Sequence, residues 1–131
     1  MSGVAYHAGY LRWMERARTE MLRVCGIDHA GAVAGGEGGY AVASVAVRYL
    51  APARLDDALT LVSRLTGIRA ASIAIQQTVR RGAVVLAEAD LVAAFVAPDG
   101  RPRRQPRAWL AIFRGLLPDQ DHRGQVPQGD A

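Results

Sequence analysis

The chain has 131 residues, half of them hydrophobic and 21% charged, which is long enough for one domain with a real core and too short for two of ordinary size. That balance excludes a disordered chain. The longest uninterrupted apolar run, Leu91 to Ala97, falls far short of the roughly 18 residues a membrane span needs.

No apolar signal core follows a basic start, so nothing points to export. The single cysteine, Cys25, rules out an internal disulfide framework and fits a reducing, cytoplasmic compartment. The net charge is +4 and the pI is near 10.0, which raises the question of nucleic acid. All 16 positive side chains are arginine, so arginine at any one site says little. The dense cluster Arg101, Arg103, Arg104 and Arg107 lies in a proline-punctuated stretch. No helix carries a basic stripe and no aromatic residues interleave with the cluster, so no nucleic-acid surface is expected.

In chain order, Gly3 to Leu22 reads as a short loop entering an amphipathic helix. From Gly9 to Val24 the apolar residues Tyr10, Met14, Ala17, Met21 and Val24 recur at helical spacing, and Gly26 is a natural stop. A glycine- and alanine-rich connection runs from Ile27 to Gly39. It lacks the Gly-Lys-Ser/Thr of a phosphate loop and leads into a strand, so a flexible link is expected. The period then switches to two. Tyr40 to Tyr49 sets Val42, Ser44, Ala46 and Arg48 against Ala43, Val45, Val47 and Tyr49. Pro52-Ala53 breaks the run, and further strands are expected at Ala58 to Thr66, Ala70 to Val79 and Val84 to Val96. Arg80-Arg81-Gly82 is a tight hairpin signal between the last two. Ala108 to Leu117 forms a short strand or helix, with Trp109, Ile112 and Phe113 favouring a helix. The ordered domain is read as 1–117, and the tail 118–131 as disordered. One helix followed by an antiparallel meander predicts an α+β domain, a sheet with a helix packed on one face.

The segments GVAYHAGYLRWMERARTEMLR and RYLAPARLDD, with Arg69, Ser72 and Ile73 and the hairpin in order behind them, resemble the hotdog-fold acyl-CoA thioesterases of the 4-hydroxybenzoyl-CoA thioesterase type. The resemblance is to their YbgC-like, Tol–Pal-associated branch. It covers Gly3 to about Phe113 and implies a curved antiparallel sheet wrapped around one long central helix. It further implies pairing of subunits as a homodimer or homotetramer, with Val42 to Tyr49 near the seam and active sites at the interface. The implied reaction is hydrolysis of an acyl-CoA thioester without a cofactor or metal. An acyl carrier protein or an envelope-system protein is an implied partner.

Such a hydrolase must polarise a carbonyl and supply a nucleophile, or a base for water. Gly3 to Gly9 holds no Ser, Thr, Asp or Asn to cap the first helical N–H groups, and free donors at the positive helix end suit a developing oxyanion at Ala8 or its neighbours. Water or His7 as the cap is the plainer alternative. Among His7, His29 and His122, only His7 is placed to act. Tyr-His is the branch's own pattern, and the resemblance implies that Tyr6 and His7 orient substrate or water, or share a proton. Glu15 either pairs with Arg18 or Thr19 along the helix or takes part in the site. The arginine cluster, and more weakly Arg80 and Arg81, is a candidate for the CoA phosphates, with a solvated loop as the alternative.

In relatives Asp-x-Asp-Ala-Gly precedes Gly-Val-x-Tyr-His, and its second Asp is taken to attack the thioester or activate water. Counting back from Gly3, that Asp falls one residue ahead of Met1, and the family's first strand falls ahead of it. Two expectations stay open: an ordinary enzyme whose N-terminus lies further upstream, and a catalytically inactive hotdog domain that binds acyl thioesters or a protein partner. A hotdog dehydratase is disfavoured by the Tyr-His-Ala-Gly-Tyr and Glu-Arg-Ala-Arg pattern.

Overall fold

The computed structural model describes residues 3–54 and 57–117, with side chains from residue 9 onward. Helices α1 (Gly3–Val24) and α2 (His29–Ala34) precede strands β1 (Gly39–Tyr49), β2 (Thr60–Ile68), β3 (Ser72–Arg81) and β4 (Val84–Val96), and α3 (Arg107–Leu116) closes the described chain. The strands form one antiparallel sheet in the order β1-β4-β3-β2. The hairpins β2–β3 and β3–β4 make a meander, and β1 lies on the far side of β4. This is the α+β class expected from the period switch, although the meander spans only β2 to β4 because β1 pairs with β4 and not with β2. The tail 118–131 lies outside the described residues.

The sheet buries one face. Along β3, Ile73, Ile75, Gln77 and Val79 are buried while Ala74, Gln76 and Thr78 are only half-buried, the alternation of a strand with one covered side. Helix α1 covers that side. Tyr10 and Met14 pack with Val79, Ala87 and Ala89 at one end. Leu22 packs at the other end with Ile73, Ile75, Leu91 and Phe95, where Trp109 and Phe113 of α3 join them. Each fully buried apolar side chain such as Met14 or Phe95 contributes about 1.5–3 kcal/mol. The Trp109 ring meets Phe95 edge-on at 5.4 Å, a favoured aromatic geometry.

Gln77 is the polar exception in this interface. Its amide is fully buried and completely used: Nε2 donates to the Met14 carbonyl at 2.9 Å and to Ser63 Oγ at 2.8 Å, and Oε1 accepts from Arg18 at 2.9 Å. A satisfied buried amide costs little, and it ties the middle of α1 to β2 and β3 in one register.

Several elements differ from expectation, each for a local reason. Helix α1 starts at Gly3, so the expected entry loop is helical backbone. The connection after α1 is not a plain flexible link. Asp28 Oδ1 accepts from Gly31 N at 3.0 Å and caps the short helix α2, while Gly38 passes so close to β4 that a Cβ would lie 2.5 Å from the Val96 carbonyl. In β1 a bulge falls between Val42 and Ser44. Simple alternation sets Val42 against Val45; the bulge returns both to the helix-facing side, opposite Ala93 and Leu91. The β3–β4 turn is Gly82-Ala83, with Gly82 at φ 59, and Arg80 and Arg81 are paired strand residues. Strands β2 and β3 each begin and end two residues later than expected. The C-terminal segment is a helix.

The RYLAPARLDD segment serves as a brace. Asp57 accepts from Arg54 N at 2.6 Å and pairs with Arg81 at 2.9 Å, and Arg81 also donates to the Pro52 carbonyl at 3.2 Å. The Arg54 N–H, with Arg81 behind it, holds the Asp57 carboxyl below its ordinary value against the opposing effect of burial.

Candidate active-site groove

Because α1 lies toward the β2 side, the helix-facing side of the edge strand β1 is only partly covered. A cavity of about 180 Å³ opens there. Glu15, Arg18, Thr19 and Leu22 of α1 form one wall, His29, Tyr40, Ala41 and Val42 the other, and Ile73, Ile75 and Ala93 the floor. The groove therefore has an apolar base and a polar rim, the composition of a small-molecule site.

On the helix wall, Arg18 is held by Gln77. Burial lowers the guanidinium below its ordinary value and the charge of Glu15 partly restores it. The expected Glu15–Arg18 ion pair does not form: Arg18 turns to the amide, and no ion pair within 4.0 Å joins the two among the described residues. Nor does the Thr19 side chain meet the Glu15 carboxylate; its hydroxyl donates to the Glu15 carbonyl at 3.2 Å. Glu15 is exposed on the rim. The helical period places Glu15, Arg18, Thr19 and Leu22 on one side, so this wall is legible from sequence.

The opposite wall is not. His29 Nε2 accepts the backbone N–H of Tyr40 at 2.9 Å, and the two rings stack with centroids 5.6 Å apart. Burial pushes the imidazole below its ordinary value. Tyr40 donates its phenol to Gln105 Oε1, and burial raises that phenol well above the usual range. Gln105 in turn donates to the Arg69 carbonyl at 2.8 Å and to the Ser72 carbonyl at 3.2 Å. Arg69 and Ser72 thus serve through their backbones, holding the Gln105 amide that orients Tyr40. Sequence reasoning leaves His29 as a loop histidine; the Asp28 cap beside it is the one available signal for a fixed position.

Tyr6, His7 and Ala8 lie on the backbone of the first turns of α1, and their side chains are outside the described residues. With the helix starting at Gly3, the Ala8 N–H falls within the i to i−4 ladder. The unpaired donors of a helix start are those of its first turn. The arginine cluster divides. Arg101 stands 3.8 Å from Asp99, and Arg103 donates to the Glu37 carbonyl. Arg104 and Arg107 are exposed and form no ion pair with a described residue. Arg81 is committed to Asp57 and Pro52. No group of three or more His, Cys, Asp or Glu among the described residues is arranged to hold a metal. No described helix is long and apolar enough to cross a membrane.

A family model described as the thioesterase-like superfamily matches residues 1–113. The chain belongs to this superfamily. The acyl-CoA thioester hydrolase YbgC of Escherichia coli O6:H1 is 37% identical over 114 residues, covering 86% of this chain and 84% of that protein. Among solved structures, a probable thioesterase from Bartonella henselae is 32% identical, with a TM-score of 0.69 over 77% of this chain and 84% of its own. A thioesterase from Thermus thermophilus, solved in complex with coenzyme A and Zn, is 26% identical, with a TM-score of 0.69 over 83% and 78% of the two chains.

Proposed function

We infer that this chain hydrolyses acyl-CoA thioesters to the free acid and CoA, and that the groove between α1 and β1 seats the acyl group. The observation that carries the reading is the apolar-based, polar-rimmed groove on a hotdog scaffold, in a chain 37% identical to an acyl-CoA thioester hydrolase. In this reading the thioester oxygen lies at the first turn of α1, where backbone donors and the helix dipole favour growing negative charge. Tyr6 and His7 stand on the next residues and orient substrate or share a proton, and a carboxylate assists attack on the carbonyl. Glu15 is the carboxylate on the groove rim. Arg104 and Arg107, exposed and outside any ion pair with described residues, suit the CoA phosphates better than Arg101 or Arg103, which have intramolecular contacts.

The same reading includes self-assembly as a homodimer or homotetramer. Val42, Val45 and Tyr49 face the helix side of an edge strand yet are 49%, 52% and 45% exposed. An apolar edge left open in this way favours pairing with another copy. The free thiol of Cys25 fits a cytoplasmic site of action.

The test is thiol release from short, long and aromatic acyl-CoAs, followed colorimetrically, for this chain and for a form extended upstream with the Asp-x-Asp segment. Turnover that falls by at least about a hundredfold in His7→Ala, the low end for removing a proton-transfer group, is the expected result. Acyl-CoA binding without thiol release in both forms refutes the enzyme reading.

A further inference from the structure

We propose that His29 is a positioning residue of the acyl groove: its neutral imidazole latches α2 onto the start of β1, and its protonation loosens that wall and weakens substrate binding. The proposal rests on the thioesterase reading for its kinetic consequence, although the latch itself is a feature of the fold.

The latch is built from both sides. His29 opens α2, where Asp28 has already committed a carboxylate oxygen to Gly31 N. Its Nε2 receives the Tyr40 N–H at 2.9 Å, and its ring lies nearly parallel to that of Tyr40, at 15°. The approach depends on glycine, since a Cβ on Gly39 would lie 2.9 Å from Val33 Cγ2 and 3.3 Å from His29 Nε2. Tyr40 and Val42 continue the same wall of the groove, so the ring fixes the strand segment on which the acyl group would rest.

The acceptor role dictates the protonation state. An imidazole that accepts at Nε2 carries its proton on Nδ1. Protonation turns Nε2 into a donor facing another donor, so the bond is lost. The charged and titratable neighbours come from each adjoining element. Glu15 and Arg18 line the groove from α1, Asp28 precedes the ring on its own segment, and Tyr40 on β1 keeps its phenol protonated for Gln105. Glu15 alone among the groove-lining groups favours the cation. Burial opposes it and holds the imidazole below its ordinary value. The latch is intact above the folded titration point, which lies below the ordinary histidine value, and fails as pH falls through it.

The experiment measures KM and kcat against pH for the wild type, His29→Gln and His29→Leu on an acyl-CoA the protein turns over, together with ¹⁵N spectra of the imidazoles. Glutamine places an amide oxygen near the position of Nε2 and does not titrate. In the wild type KM is expected to rise about fivefold as pH falls across the titration, the scale of one hydrogen bond, with kcat changing less. His29→Gln should keep the wild-type KM at neutral pH and remove the acid rise, and His29→Leu should show the raised KM at all pH values. The neutral ring should show the Nδ1–H tautomer. An acid rise in KM that persists unchanged in His29→Gln overturns the proposal, as does an Nε2–H tautomer. The ¹⁵N spectrum and the exchange rate of the Tyr40 amide decide the latch without turnover, so failure of the thioesterase reading and failure of this proposal are separable. If His29→Leu does not fold, His29→Gln and the spectra still decide.

Discussion

Gln77 offers the sharpest test of how the helix is held on the sheet. Its replacement by leucine keeps the volume and removes three hydrogen bonds, to the Met14 carbonyl, Ser63 and Arg18. The bond from the guanidinium contributes about 1.5–3 kcal/mol and each neutral bond about 1 kcal/mol. Two factors reduce the sum. The Met14 carbonyl keeps its helical partner, and Ser63 is only half-buried and can turn to water. Arg18 loses the neutral oxygen that compensates its own partial burial, so this part of the loss is not recovered. A net destabilisation of about 2–4 kcal/mol follows, which at a urea m-value of about 2 kcal/mol/M moves the midpoint down by roughly 1–2 M.

The assay is equilibrium urea unfolding at one fixed protomer concentration, which holds the proposed self-assembly constant across variants. Adding Arg18→Leu makes it a cycle. With both partners removed no guanidinium is left stranded, so the double variant should be more stable than the sum of the single effects by about 1–2 kcal/mol. If Gln77→Leu costs less than about 0.5 kcal/mol, or the two changes simply add, the buried amide does not pin α1 and the account of the Arg18 wall fails with it.

Asp57→Asn tests the brace at the β3–β4 hairpin. The folded carboxyl is held below its ordinary value near 3.8, so its contribution is present above that value and lost as pH falls through the folded one; acid titration of stability below about pH 4 should flatten in the variant. Gly38→Ala should destabilise by about 2–4 kcal/mol, because φ is +147 and the new Cβ meets the Val96 carbonyl at 2.5 Å. Gly36→Ala, at φ +77 with nothing within 4 Å, should cost only about 1–2 kcal/mol in thermal or urea unfolding, the left-handed penalty alone. Val45→Asp, on the open side of β1, should shift sedimentation toward the monomer; an unchanged assembly removes that edge from the seam.

The sheet is legible in the sequence because its signals are local. β4 alternates from Ala87 to Val96 as the period requires, and a tight turn with glycine joins it to β3. What escapes the sequence depends on contacts far along the chain. The β1 bulge inserts one residue, which a strict period of two cannot represent, so alternation alone puts Val42 on the wrong face. Arg18 sits one turn from a carboxylate, and helical spacing alone pairs them; its actual partner, Gln77, is 59 residues away. His29 lies in a glycine-rich stretch with no periodicity, and its role follows only from the approach of Gly39 and Tyr40 to its ring.

The family motif concentrates attention on the first turns of α1, where the reacting carbonyl would lie. The groove is closed from the other side by residues outside that motif, with His29 on Tyr40, Tyr40 on Gln105, and Gln105 on the Arg69 and Ser72 carbonyls. The proposed acyl wall is therefore a chain of hydrogen bonds with the His29 imidazole at one end. A substitution in that chain should alter which acyl group is seated, whereas one in the first turns of α1 should alter whether its thioester is cleaved. Parallel measurement of KM and kcat for Gln105→Leu and His7→Ala separates the two, with the larger change expected in KM for the first and in kcat for the second.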